Sequence, residues 1–258
     1  MSKWVQGTVV ARRQWTAELY SLQVAAPEVT FVAGQFGRLA LPMTAAEQAA
    51  APSVKDGMLG RPYSFVNAPA TQPHEFYFII VPAGPLSPRL ATLEAGEPVS
   101  LLPTGNGFFS VTETAEADVL WLLATGTGLG PYLSILRTEL PWQKYARVVL
   151  VHAVRHANEL TYRDTIAGIA TAHPGAFACI SVVSRESHPD ALLGRIPALI
   201  DDGRLEARAG IALSAENSHV MLCGNPAMVD DVQKVLATRS MRRHRRKEPG
   251  HITVETYW

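Results

Sequence analysis

Val119-Leu120-Trp121-Leu122-Leu123-Ala124-Thr125-Gly126-Thr127-Gly128-Leu129-Gly130-Pro131 is the stretch that decides the fold. The unbroken apolar run Val119–Ala124 reads as a strand buried on both faces, the habit of strands in parallel sheets. Glycines follow, then a helical pattern over Tyr132–Leu140. Gly126, Thr127 and Gly128 are candidate nucleotide contacts, because glycine lets a phosphate approach the backbone. The helix N-terminus behind them presents unpaired N–H groups and partial positive charge to a pyrophosphate. Pro131 suits a first helical position, where no amide is needed. This is not a Walker loop, since no Gly-Lys-Ser/Thr follows, nor a strict Gly-x-Gly-x-x-Gly. A tight strand–helix turn without a ligand is the plain alternative. Its place after the first strand of an α/β half favours the nucleotide.

Downstream, strands at Arg147–Val154, Ala178–Val183 and His219–Cys223 alternate with helices at Leu160–Ala172, Arg195–Asp202 and Pro226–Arg239. Alternation of this kind predicts a parallel α/β sheet of Rossmann-like type over residues 118–258. Upstream, residues 1–112 read as short strands broken by Gly and Pro: Val5–Arg13, Leu19–Val24, Gln35–Leu41, Tyr63–Asn67, Glu75–Val81 and Val99–Leu102. That pattern predicts an antiparallel barrel or sandwich. Met43–Leu59 interrupts it as an Ala-rich insertion, read as a surface loop with a short helix. The acidic connector Thr112–Ala117 separates the two halves.

Composition narrows the function classes. The 258 residues carry no net charge, with 47% hydrophobic and 18% charged, as in a soluble globular protein. Nothing global favours nucleic acid or a membrane surface. Cys179 and Cys223 are too far apart for an iron–sulfur or zinc motif and fit a reducing compartment. The N-terminus has no signal-peptide pattern, and no apolar run nears the ~20 residues of a membrane span. A cytoplasmic protein is expected.

Arg61-Pro62-Tyr63-Ser64 packs a permanent cation, a flat aromatic and a hydroxyl into one strand, with Arg61 and Tyr63 on the same face. A ligand suited to all three carries a diphosphate, a planar ring and a ring nitrogen; a flavin dinucleotide has each. Arg155 follows the second buried strand, where an NAD-binding domain places an acid for the ribose 2′-hydroxyl. A cation there accommodates a 2′-phosphate instead. Arg185 and Arg195 lie near the same sheet edge, although any single arginine is more often a solvated surface residue. Pro85-Leu86-Ser87 begins a helical turn, with Ser87 either a phosphate ligand or an ordinary N-cap. Cys223-Gly224 ends a strand at the glycine-loop edge, and a lone Cys there is a buried small hydrophobe or a pocket wall. His152 and His156 have helical spacing but lie in a strand pattern, which argues against a metal pair. Met241–Lys247, the charge run, reads as a solvated helix end or a dock for an acidic partner.

Together these motifs make the chain resemble the bacterial ferredoxin (flavodoxin)–NADP reductases over nearly its whole length. The resemblance rests on Arg61-Pro-Tyr-Ser64, Val81-Pro82 with Leu86–Arg89, Ala124–Pro131, Val183–Glu186, Cys223–Pro226 and the terminal Glu255-Thr-Tyr-Trp258. It implies an FAD-binding barrel followed by an NADP-binding α/β domain. It further implies hydride exchange between NADPH and flavin N5, and single-electron exchange with ferredoxin or flavodoxin, in a monomer. By similarity Arg61 and Pro62 would sit at the FAD pyrophosphate, Tyr63 would stack on the isoalloxazine, and Ser64 would approach its N5. Tyr77, Ile79, Pro85, Leu86 and Ser87 would line the remaining FAD site. Thr127 would lie between flavin and nicotinamide. Arg155, Arg185 and Arg195 would take the 2′-phosphate, with Gly126, Gly128 and Gly224 along the NADP path. Ser64, Cys223 and Glu255 match the family's hydride-transfer positions, and Tyr257 and Trp258 would cover the FAD. The Met43–Leu59 insertion is longer than the family usually carries. Related flavin, quinone and oxygenase reductases use the same scaffold. A module that only binds nucleotide is the reading from another class.

Overall fold

The computed structural model describes residues 4–256. Two compact units make up the chain, residues 1–108 and 109–258. The division falls just ahead of the expected Thr112–Ala117 connector. Phe109 and Val111 are already buried, and Phe109 packs on Tyr132 of the second unit at 5.7 Å.

The first unit is an antiparallel sheet of β1 (Val5–Gln14), β2 (Leu19–Ala25), β3 (Phe36–Pro42), β4 (Met58–Ser64), β5 (His74–Ile79) and β6 (Pro98–Leu101). Their order is β4-β3-β6-β1-β2-β5. A bridge between Phe65 and Phe76 joins the two outer strands, and Val66 N donates to Glu75 O at 2.9 Å. Closure of this kind removes the exposed edges and makes the sheet a barrel. Leu22, Leu39, Phe65, Phe76 and Leu101 fill it.

Within the insertion, α1 (Ala45–Ala50) is started by a capping box between Thr44 and Glu47, a reciprocal pair that satisfies two orphan amides. The insertion ends at Gly57 rather than Leu59, because Met58 and Leu59 both pair with β3. Ser87 is not an N-cap. It opens the short α2 (Ser87–Leu90) without capping it, and its Oγ accepts from Val81 N at 2.9 Å.

The second unit is a parallel sheet of β7 (Val119–Thr125), β8 (Arg147–Val154), β9 (Phe177–Val183), β10 (Ala191–Leu193), β11 (Ser218–Gly224) and β12 (Ile252–Thr256). The order is β10-β9-β8-β7-β11-β12. Its helices are α3 (Leu129–Leu136), α4 (Leu140–Lys144), α5 (Arg163–Ala172), α6 (Ile196–Asp201), α7 (Arg204–Ala209) and α8 (Pro226–Ala237). Every residue of β7 from Val119 to Ala124 is buried. From β7 the chain winds outward through β8, β9 and β10, then returns to the other side with β11 and β12. The switch point therefore lies between β7 and β11, where open α/β sheets bind ligands at their carboxyl edge.

Several sequence expectations shift. A 3₁₀ turn over Gly126–Gly128 precedes α3, so Pro131 is the third helical residue, still within the turn that lacks amide partners. The α5 helix starts at Arg163 because Tyr162 adopts φ 56°, outside the helical region. Short β10, α7 and β12 escaped the sequence reading. The basic run is not a helix end: α8 stops at Ala237, and Arg245 and Glu248 exchange backbone hydrogen bonds across a turn.

Candidate functional site

The glycines after β7 have separate tasks. Gly126 has φ +53°, and a Cβ added there would meet nothing within 4 Å. That open backbone leaves room for a phosphate oxygen. Gly128 faces inward, where a Cβ would stand 2.7 Å from the carbonyl carbon of Cys223. Only hydrogen fits between the two strand-end loops. Beneath the loop, His152 of β8 is buried and bonds to the Gly126 backbone. Burial holds its imidazole neutral, with a pKa of about 4.

Arg155 and Arg185 emerge from the carboxyl ends of β8 and β9. Arg185 N donates to Arg155 O at 3.0 Å, which fixes the two backbones side by side. Glu159 Oε2 accepts from Arg155 N at 2.9 Å, and Glu186 Oε1 accepts from Ala157 N at 2.6 Å. The carboxylates near these arginines thus brace main-chain amides. Both arginine side chains are exposed, as is that of Arg195, which precedes α6 as its N-cap residue. By contrast, Arg239 is engaged by Glu206 at 2.7 Å. Exposed guanidiniums whose neighbouring acids are occupied suit a bidentate anion such as a phosphate monoester.

The switch point itself is closely packed. Cys223 is fully buried and lies in register with Ala124 of β7 and Glu255 of β12. Tyr132 of α3 donates to Met221 O at 2.6 Å and to Leu123 O at 3.2 Å, joining β11 to β7. Its phenol pKa is raised well above the ordinary value by burial, then by Cys223 and Glu255. Among the described residues Glu255 Oε2 is enclosed without a hydrogen-bond partner, and burial lifts its carboxyl pKa to about 7. An orphaned buried oxygen costs free energy unless a ligand meets it, and perturbed acids of this kind mark functional sites.

In the first unit, Arg61 is exposed while Ser64 is buried. The Arg61 guanidinium donates to Gly60 O at 2.9 Å. Tyr63 is half-buried against the barrel core, its ring edge-on to Phe78 at 5.7 Å. Burial raises its phenol to about 12, against the pull of Arg61, so the ring stays neutral. Phe76 and Phe78 belong to the core, which puts Tyr77 and Ile79 on the opposite face of β5. There Trp15 packs edge-on to Tyr77 at 6.5 Å. Leu86 and Ser87 are buried and Pro85 is exposed. The flat, neutral Tyr63 ring and the exposed cation of Arg61 fit a flavin dinucleotide. Tyr257 and Trp258 lie outside the described residues.

Sequence reasoning assigns no role to Tyr132, Thr125 or Asn225, and weighs His152 only as half of a metal pair. Asn225 before Pro226 carried a legible signal, an N-cap followed by proline. The others have no local signature, because their partners lie on segments distant along the chain.

A glycine loop and a second loop flanking the switch point of a parallel sheet, in a chain that begins with an antiparallel barrel, define a dinucleotide-binding oxidoreductase scaffold. Residues 122–234 match the family profile of the oxidoreductase NAD-binding domain. Over 259 aligned residues covering 100% of both chains, the protein is 44% identical to the flavodoxin/ferredoxin–NADP reductase of Escherichia coli K12. It is 30% identical over 96% of its length to that of Rhodobacter capsulatus. The crystal structure of a ferredoxin NADP+ reductase from Neisseria gonorrhoeae with bound FAD and NADP superposes with a TM-score of 0.91 at 28% identity, covering 100% of each chain. The chain belongs to the flavodoxin/ferredoxin–NADP reductase family.

Proposed function

We propose that this protein is an FAD-dependent ferredoxin/flavodoxin–NADP oxidoreductase, exchanging hydride between NADPH and flavin and single electrons with ferredoxin or flavodoxin. The observation that carries the NADP half is the pair Arg155 and Arg185, exposed and backbone-linked where an NAD-binding domain holds an acid. When bound, the flavin supplies the conversion between two-electron and one-electron chemistry.

The residues of this chain bind, orient and exclude water. Arg61 takes the FAD pyrophosphate, with Pro62 stiffening its strand. Tyr63 offers a flat neutral face to the isoalloxazine, and Ser64 brings a hydroxyl to its N5 edge. Tyr77, Ile79, Pro85, Leu86 and Ser87 line the rest of the flavin site. Gly126, Thr127 and Gly128 receive the NADP backbone. Arg155, Arg185 and Arg195 take its 2′-phosphate, and Cys223 with Gly224 walls the nicotinamide. Glu255, with a carboxyl pKa near 7, can hold or release a proton at Oε2 near neutral pH. Tyr257 and Trp258 are assigned to cover the flavin. Among the described residues no helix is long and apolar enough to cross a membrane; we place the protein in the cytoplasm as a monomer.

The test is a visible spectrum of the purified protein followed by anaerobic titration with NADPH and then NADH. Yellow protein bleached stoichiometrically by NADPH, and poorly by NADH, is the expected result. Flavin that stays oxidised under NADPH, or colourless protein, would overturn the reading.

A further inference from the structure

The two loops that flank the switch point are clasped to one another. We propose that Thr125 is a positioning residue for the nicotinamide half of NADP(H), acting through the loop that carries Cys223. The proposal rests on the reading of this unit as the NADP-binding one.

Asn225 N donates to Thr125 Oγ1 at 2.9 Å, linking residues 100 positions apart. The Asn225 side chain is committed elsewhere, since Oδ1 accepts from Ala227 N at 2.9 Å and Met228 N at 3.4 Å to cap α8. Its main-chain N–H precedes the helix, and Thr125 is what it reaches. Gly224 lies between, at φ +137°. A Cβ there would meet Thr125 Oγ1 and stand 2.9 Å from its carbonyl oxygen and 3.0 Å from its nitrogen. The Cys223-Gly224-Asn225 segment is thus pressed onto the last residue of β7. From the other side, the hydrogen-only gap between Gly128 and Cys223 fixes the glycine turn against the same segment.

The Thr125 hydroxyl brings a side-chain hydrogen bond to this clasp beside its backbone contacts. It fixes where β11 ends and α8 begins relative to the loop that carries Thr127. A valine in its place keeps the shape but offers no acceptor, leaving the Asn225 N–H unmet and the Cys223 loop free to drift. Hydride geometry tolerates little drift. The arginines follow β8 and β9, which lie on the other side of β7 from β11, so that end of the ligand site does not depend on the clasp.

The experiment compares wild-type holoprotein with Thr125→Val and Thr125→Ser. Calorimetry gives Kd for adenosine 2′,5′-bisphosphate and for NADP+, and a ferricyanide assay gives kcat and KM for NADPH. For Thr125→Val the bisphosphate Kd should stay within about twofold while kcat falls about tenfold or more, the scale of a misplaced reacting group. Thr125→Ser, which keeps the hydroxyl, should restore most of the loss. Should Thr125→Val fold poorly, Thr125→Ala supplies the same contrast. Unchanged kcat, parallel weakening of both ligands, or no rescue by serine would each overturn the clasp. Wild-type protein that binds neither ligand would instead overturn the NADP reading on which the clasp rests.

Discussion

At the β8 and β9 ends of the parallel sheet Arg155 and Arg185 stand exposed. At the β11 and β12 ends Cys223 and the Oε2 of Glu255 are enclosed. The first group works by long-range attraction in a high dielectric, is screened by salt, and supports little of the fold. The second lies in a low dielectric, where each unmet polar atom carries a cost and each added atom a clash. One nucleotide would span both environments, a charged end recognised cheaply and a reacting end held tightly. Mutations at the two ends should therefore fail in different ways.

The largest effect belongs to the enclosed end. In Gly224→Ala the new methyl meets the Thr125 backbone at 2.9 and 3.0 Å with φ at +137°, and neither contact can relax by rotating a side chain. We expect a loss of about 3 kcal/mol in denaturant unfolding, together with loss of NADP+ binding. A Gly224→Ala protein as stable as wild type would show that this wall is soft and remove the contrast.

Next comes the exposed end. Arg155→Ala should weaken NADPH by about 2 kcal/mol, near 30-fold in KM, since a charge-assisted hydrogen bond is lost. NADH should be almost unaffected and stability unchanged. The wild-type preference for NADPH should also shrink as salt rises. Equal losses with both nucleotides would sink the 2′-phosphate assignment.

Glu255 allows the contrast to be read by pH. Its folded pKa of about 7 lies above the ordinary 4.5, so the folded state retains a proton that the unfolded chain gives up. Below about 4.5 both states are protonated and the residue is neutral to stability. As pH rises toward 7 the unfolded carboxyl ionises first, and stability is lost through that window. Glu255→Gln should match wild type at low pH and become the more stable protein by pH 7, as read by unfolding across that range. His152 runs the opposite way. Its depressed pKa of about 4 adds stability above its unfolded value, and that stability fades on acidification. If the Glu255→Gln advantage did not grow between those limits, the carboxyl would not be buried as described.

What could be read from the sequence divides along similar lines. The β7 run, the glycine turn and the alternating barrel strands were legible because period and glycine are local signals. The cations were legible because they follow strands in sequence. Thr125 with Asn225, and Tyr132 with Met221, were not, because each contact joins segments distant along the chain. Pro131 was misplaced by a short 3₁₀ turn that no residue pattern announces. β12 was hidden because Ile252–Thr256 is a brief strand beside a basic turn, and it takes its register from β11.

The smallest expected effect tests whether enclosure alone makes a residue functional. Tyr132 is wholly buried and its hydroxyl ties β7 to β11, yet it sits behind the strands rather than at their carboxyl ends. Tyr132→Phe keeps the ring and loses a donor, and both carbonyls belong to residues already paired in the sheet. The cost should be about 1 kcal/mol of stability, with KM for NADPH and kcat close to wild type. Thr125→Val removes a single acceptor at the loop itself and should do the reverse, sparing stability more than turnover. A Tyr132→Phe enzyme with wild-type stability and impaired turnover would mean that loop geometry is set from the sheet interior, and the clasp would then be only its outermost link.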